Sequence, residues 1–569
     1  MRDSSDWHST TNVIYAESVN PRCDSEIQIN MPDIVSTKDC LRRLDDDILL
    51  QIFDKLRPQG HLRSLSTICK WIRSLCASIL FSECSVKSNE LSSGRSHFLP
   101  ESLWCHVRIL RLSGYFLRQK AILSWGRGEW VFPYPDTIEV IEEEKEAQAR
   151  ELRAGTFLEE VLKCLPSLNT VIIDNLSNAA TEGPDKAGVP LPVILAILST
   201  PQVQHFSVSG YLYHPVDPSP APPTNLDLAN LTSFIYYIPI LQGALLNFII
   251  PALRLSLEKL VLPVENAPLQ NMYMEEWPSL RVLTLYGQRR TVVKPCIPYI
   301  TILARMPKLQ SLKLFFANPW NIDPQAIWPE GFHMSFPWPE LEQLTVTQPH
   351  ADDRLWAHLP ESLRVLSLRC WPRRWEHQIL KRQRDALSPL YHARIRWHTP
   401  LLSSSDMLQI LRQCQTPFLE HLDIEYQIDN QEVELMQYIS SAFPVLKKLE
   451  ISRYKNEAAR TPPLTDIALA LAPLKAIRVL CLYFDEQSSL REVKPEIFRN
   501  DLDVAAYDLA SNMGKTLEVI HLSLGYYPHM GWSKFSVVWA SHEDASFDEI
   551  ALQHHVGKPT LILDVSSVL

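Results

Sequence analysis

Glycine is scarce in this sequence, with 16 residues among 569, whereas proline is abundant, with 42. Loops that cradle phosphate groups depend on glycine, because the backbone approaches a phosphate closely only where no side chain intervenes. The tripeptide Gly514–Lys515–Thr516 matches the end of such a loop, but Leu509 stands where the loop needs its upstream glycine. We therefore interpret Gly514 as a helix end and predict no nucleotide site.

Signals for metal binding and for catalysis are also missing. The sequence has no HExxH spacing, no GxSxG elbow and no paired cysteine and histidine signature. Catalysis needs polar groups that converge on one site, and no motif points to such a site. We predict a non-catalytic protein with no catalytic residue, no cofactor and no metal.

The chain also lacks a long apolar run and an excess of basic residues. A membrane-spanning helix needs roughly 18 apolar residues, and prolines at 239 and 251 interrupt the best candidate, residues 234–253. The formal charge is −10, whereas nucleic-acid binders carry a basic surface. The 11 cysteines form no CxxC pair, and no signal segment opens the chain. We expect no membrane and no nucleic-acid partner, and a cytoplasmic or nuclear location, or both.

Residues 40–86 carry two short amphipathic runs. The first begins with aspartates at 45–47, where acidic side chains cap free N–H groups of a helix, and Pro58 ends it. The second lies between residues 62 and 81. Because a lone core of roughly 45 residues is marginal, we expect this module to rely on another part of the protein.

This segment resembles the F-box, the adaptor-docking module of cullin-type ubiquitin ligases. The family usually has proline where this chain has Asp45, and an aromatic residue where it has Ile72, with Trp71 one position earlier. The matching residues are Leu44, Asp47–Ile48–Leu49, Ile52–Phe53, Leu56, Leu62, Leu65–Ser66, Cys69–Lys70 and Leu75.

The resemblance implies that the module docks a Skp-family adaptor, and through it a cullin and a RING subunit. Sequence does not separate the residues that face the adaptor from those that pack the module onto its neighbour. The residues that we expect to contact the adaptor, or to shape the surface that does, are Leu44, Ile48, Leu49, Phe53, Leu56, Leu65, Trp71 and Leu75.

A second pattern, L-x-x-L-x-L, recurs from residue 107 to the C-terminal region. Two of its apolar positions lie two residues apart and so point to one side of a strand. Successive copies from residue 203 onward begin roughly 22–40 residues apart, which with this consensus is typical of leucine-rich repeats. The clear copies start at residues 107, 168, 203, 231, 257, 280, 309, 341, 363, 419, 446, 477 and 517, and a weaker one starts at 390.

The predicted fold class is α/β: a short helical F-box-like module, residues 37–86, followed by an irregular leucine-rich-repeat-like solenoid, residues 87–569. Parallel strands form its concave side, and helices and loops its convex side. Residues 1–36 are polar and predicted to be disordered. Inserts are expected at about 118–155, 214–225 and 369–384. The repeat domain resembles the degenerate repeats common in fungal F-box proteins.

Two sets of charged residues are candidates for binding a protein client. Arg373 and Arg374 lie in the densest basic stretch, and guanidinium groups suit phosphate or carboxylate; the simpler alternative is a solvated loop. Arg394, Asp423 and Glu450 occupy the outward position between the last two apolar residues of their repeats. The two carboxylates predict a preference for a basic client segment.

Together these features predict a substrate-recognition subunit of a Skp–cullin–F-box ubiquitin ligase. Its F-box would dock the adaptor, and its repeats would hold a client near the enzyme that carries ubiquitin, raising the effective concentration of that client. In the alternative, the F-box-like helices only cap the repeats, because a solenoid needs a terminal cap. The protein would then be an interaction scaffold.

Overall fold

The structure of the protein is a computed structural model. The chain divides into two compact units, Met1–Ile79 and Leu80–Leu569. The residues that the structure describes are 44–57, 61–87, 99–113, 138–174, 189–209, 212, 231–237, 243–288, 297–319, 325–370, 397–398, 401–455, 463–485, 495–513, 515–524, 532–539 and 550–560.

The described part of the first unit is helical. Its elements are α1 (Asp46–Leu56), α2 (His61–Ser66) and α3 (Lys70–Leu80), whose last residue belongs to the second unit. Helix α1 begins at Asp46 because the Asp45 carboxylate accepts a hydrogen bond from the Asp47 amide at 3.3 Å. The Arg73 side chain donates to the Ser66 carbonyl at 3.1 Å and so joins α3 to the end of α2.

The second unit is a mostly parallel sheet with helices between successive strands, which confirms the predicted α/β class. Each strand pairs with the next one in chain order from β1 to β10, then β10 with β12, and so on to β15. These strands are β1 (Glu83–Lys87), β2 (Ile109–Ser113), β3 (Thr170–Asp174), β4 (His205–Val208), β5 (Ser233–Tyr236), β6 (Lys259–Pro263), β7 (Val282–Gln288), β8 (Ser311–Pro319), β9 (Gln343–Thr347), β10 (Val365–Arg369), β12 (His421–Gln427), β13 (Lys448–Tyr454), β14 (Val479–Asp485) and β15 (Val519–Leu524).

Antiparallel pairing occurs at the C-terminal end of the sheet and in one short strand. Strand β16 (Trp532–Trp539) pairs antiparallel with β15 and with β17 (Ile550–Thr560), and β11 (Trp397–His398) with the end of β8. Residues 83–86, at the end of the predicted module, lie in β1 of the sheet.

Helices connect many of the strands, in the alternation that parallel pairing requires. The helices of the second unit are α4 (Ile138–Lys163), α5 (Leu191–Leu198), α6 (Gly243–Leu253), α7 (Leu269–Met274), α8 (Tyr299–Ile302), α9 (Ser404–Gln413), α10 (Glu432–Ala442), α11 (Leu464–Leu471) and α12 (Pro495–Asn512). Two 3₁₀ helices, Glu101–His106 and Arg354–His358, occur in the described connections.

The hydrophobic core runs along the sheet, and the repeated apolar positions supply it. In the copy at 419–424, for example, Leu419, Leu422 and Ile424 are all fully buried. The same three positions are buried in the other clear copies, because alternate strand residues share a face and the first apolar residue enters from the preceding corner. At about 1.5–3 kcal/mol per buried aliphatic side chain, these rows dominate the stability of the unit.

The predicted inserts are described only in part. Helix α4 includes the charged segment at the end of the first insert. Residues 214–225 and 371–384 lie outside the described residues, as do residues 1–36 and the weak copy at 390–395. Among the described helices, none combines the length and the hydrophobicity needed to cross a bilayer.

Candidate functional site

An apolar strip on α1 is exposed. Ile48 and Ile52 of α1 follow one another at i, i+4 spacing and are 47% and 43% exposed, and Leu44, which lies two residues before the helix begins, is 37% exposed. Residues at this spacing lie above one another on a helix surface. Scattered exposed apolar residues are ordinary, but long aliphatic side chains exposed one helical turn apart are a candidate interaction surface. We call these three residues the α1 strip.

A second apolar row of the same helix is buried. Leu49 and Phe53, also at i, i+4 spacing, are 1% and 4% exposed. The next residue of this row, Leu56, is half-buried. Helix α1 therefore has one apolar face that is buried in the fold and a neighbouring apolar face that is exposed to solvent.

The structure places the eight residues predicted for the adaptor in three environments. Leu44 and Ile48 are exposed, and Leu49 and Phe53 are buried. The other four are half-buried: Leu56, Leu65, Trp71 and Leu75. Sequence reasoning left two exposed apolar residues out of this set, Ile52 and Ile68, the latter 64% exposed. The i, i+4 spacing of Ile52 from Ile48 is the sequence signal that could have identified Ile52.

A row of polar side chains crosses the sheet on the side opposite the repeated core residues. Parallel register aligns Thr345, Ser367, Asp423, Glu450, Cys481 and His521 on strands β9 to β15. Antiparallel pairing adds Lys534 of β16 beside His521. Because strand neighbours lie about 4.8 Å apart, these side chains form a continuous row. We call this side of β9–β16 the polar face.

The carboxylates of the polar face are compensated within the protein. Asp423 is 2% exposed and accepts hydrogen bonds from Ser367 Oγ at 2.7 Å and from the Arg369 guanidinium. Arg369 Nη2 also lies 3.7 Å from Glu450 Oε1, and Lys448 Nζ lies 3.7 Å from Glu450 Oε2.

Glu425, two residues after Asp423, is equally enclosed. Its Oε1 accepts from the Tyr454 hydroxyl at 2.6 Å and its Oε2 from the Cys370 amide at 2.7 Å. Both oxygens of this buried carboxylate are therefore satisfied, as a buried charge requires.

Two histidines of the polar face remain neutral at physiological pH. Burial, helped by the neighbouring Lys448 and opposed by Asp423 and Glu450, lowers the pKa of His421 to about 4. Burial also lowers the pKa of His521 to about 4, with Lys534 and Lys448 acting in the same direction. Among the described residues, His421 Nε2 and His521 Nδ1 are buried nitrogens with no hydrogen-bond partner.

The structure describes only some of the residues that were predicted to bind a client. Arg373, Arg374 and Arg394 lie outside the described residues. Asp423 and Glu450 lie on the predicted face and at the predicted register. However, both carboxylates contact Arg369, so the negative charge on which the preference for a basic client depended is already paired.

Within the described residues, no group of three histidine, cysteine or acidic side chains is arranged to hold a metal ion. In comparisons with known proteins, no family model matches this chain and no curated protein is significantly similar to it.

Proposed function

We propose that this protein is the substrate-recognition subunit of a Skp–cullin–F-box ubiquitin ligase. The helices α1–α3 act as the F-box that docks a Skp-family adaptor, and the parallel sheet with its helices acts as a leucine-rich-repeat-like domain that holds a protein client. The chemistry of ubiquitin transfer lies in the partner subunits.

The observation that carries the proposal is the α1 strip. Leu44 and Ile48 belong to the ordered set of residues that resembles the F-box, and Ile52 belongs to it as well. These three side chains are exposed while Leu49 and Phe53 of the same helix are buried. Full burial of an isoleucine contributes about 1.5–3 kcal/mol, so covering two half-exposed isoleucines contributes on the order of 2 kcal/mol to docking.

The test is a binding titration of the purified full-length protein against a purified Skp-family adaptor. The diagnostic variant is Ile48→Asp/Ile52→Asp, because both positions are exposed and charge there leaves the core of the unit intact. Phe53 is unsuitable, since an aspartate at a buried position unfolds the helix and removes binding for a trivial reason. The matched control is Leu469→Asp, a 56% exposed position on α11.

We expect sub-micromolar binding by the wild type and by Leu469→Asp, and a loss of roughly a hundredfold in the double variant. Circular dichroism confirms that each variant keeps its helix content. If a well-folded wild type shows no binding, the ubiquitin-ligase function is wrong, and the scaffold with a helical cap is the better description.

A further inference from the structure

The carboxylates of the polar face are less accessible to a partner than its lysines. Its three carboxylates, Asp423, Glu425 and Glu450, are engaged by Arg369, Lys448, Tyr454 and neighbouring donors at the distances given above. Asp423 and Glu425 are each 2% exposed. A basic segment would have to displace these internal contacts before it gained any of its own.

The cations of the same face are more open. Lys534 is exposed, and among the described residues no ion pair joins it to a carboxylate. The Lys448 side chain is 36% exposed and holds Glu450 only at 3.7 Å. Lys534 lies beside His521 in the antiparallel register of β15 and β16, and Lys448 lies beside His421 in the parallel register of β12 and β13.

The histidines add unused hydrogen-bonding capacity between these lysines. His521 is nine-tenths buried, and its Nδ1 is without a partner in the described part of the chain, as is Nε2 of His421. A buried polar atom without a partner is unfavourable, and a ligand group that reaches these nitrogens supplies the missing hydrogen bond. Lys534 and Lys448 both lie near enough to His521 to act on it, as does the carboxylate of Glu450.

From this arrangement we propose that the polar face binds an anionic segment of the client, with Lys448 and Lys534 pairing its negative groups and His421 and His521 hydrogen-bonding to it. The inference rests on the proposed function, because it names the client that the receptor would hold. It reverses the preference for a basic client that Asp423 and Glu450 suggest in the sequence. Carboxylates and phosphates share the required chemistry.

The test measures fluorescence polarisation of labelled peptides with the full-length protein. The probes are deca-glutamate, deca-lysine and a glutamine-rich peptide in which phosphoserines are the only negatively charged side chains. The diagnostic variant is Lys448→Met/Lys534→Met, which removes both charges and keeps the aliphatic stems. The control is Lys87→Met/Lys259→Met, and Lys259 occupies on β6 the register position that Lys448 occupies on β13.

We expect deca-glutamate or the phosphoserine peptide to bind, and the affinity to fall about tenfold in the diagnostic variant and by less than about twofold in the control. The stronger of the two anionic probes identifies carboxylate or phosphate as the group recognised. Tighter binding of deca-lysine, or anionic binding that both variants weaken equally, overturns the inference. Adaptor binding is measured in parallel: if it persists while no anionic probe binds, only the client preference is wrong.

Discussion

The buried ion pair between Glu432 of α10 and Arg453 of β13 predicts a large and asymmetric effect of mutation. Glu432 is fully buried and Arg453 is 5% exposed. The pairing is bidentate, with Arg453 Nε 2.8 Å from Oε1 and Nη2 2.7 Å from Oε2. The Tyr426 hydroxyl donates to the same Oε1 at 2.9 Å, and burial raises the pKa of that hydroxyl well above its usual range.

Removal of one partner leaves an uncompensated charge in the core. We therefore expect Arg453→Met to cost about 3–5 kcal/mol of local stability. The double variant Glu432→Leu/Arg453→Met removes both charges, and its main cost is the orphaned Tyr426 hydroxyl, about 1–2 kcal/mol. The double variant is thus expected to be more stable than the single one.

Native-state hydrogen exchange of the β13 amides, read by mass spectrometry on the full chain, measures the local opening free energy directly. At about 1.4 kcal/mol per factor of ten, Arg453→Met should lower protection by roughly two to three orders of magnitude and the double variant by about one. The control is Arg478→Met, which breaks an exposed pair with Glu518 at 3.8 Å and should cost less than about 1 kcal/mol. A double variant no more protected than Arg453→Met would refute this reasoning.

Two further predictions concern pH and backbone conformation. Because the pKa values of His421 and His521 are lowered to about 4 in the folded protein, the unfolded chain binds more protons between about pH 6.5 and 4. The melting temperature of the wild type should fall as the pH is lowered over this range, and that of His421→Gln/His521→Gln should fall by less. An equal fall in the two proteins would show that the lowered pKa values of these histidines do not control the pH dependence. Gly287 has φ +103°, and an added Cβ would meet the Glu265 carboxylate, its Oε1 at 2.7 Å. The carboxylate is the end of a flexible side chain and can move away from the new Cβ, so Gly287→Ala and Gly331→Ala, the latter at φ +90° in open space, should each cost about 1 kcal/mol in denaturation because of their positive φ; a clearly larger cost at Gly287 would show that the Glu265 carboxylate is held in place.

The apolar repeats made much of the fold predictable. The L-x-x-L-x-L copies mark the strands and their buried residues, because the two-residue period of a strand fixes which side chains share a face. The aspartates at 45–47 likewise locate the start of α1, since a capping carboxylate acts within its own turn. Both signals are local, so the sequence contains them in full.

What the sequence did not determine is which group each side chain meets. Alternation places Asp423 on the polar face, but its neutralisation by Arg369, 54 positions earlier in the chain, depends on the pairing of β10 with β12. The two apolar rows of α1 look equivalent by composition, and only packing decides that Leu49 and Phe53 are buried while Ile48 is exposed. The sequence therefore determined the class of fold and the face on which each residue lies. The tertiary structure decided which charges are paired within the protein and which apolar row of α1 is exposed, because both depend on contacts between residues distant in the chain.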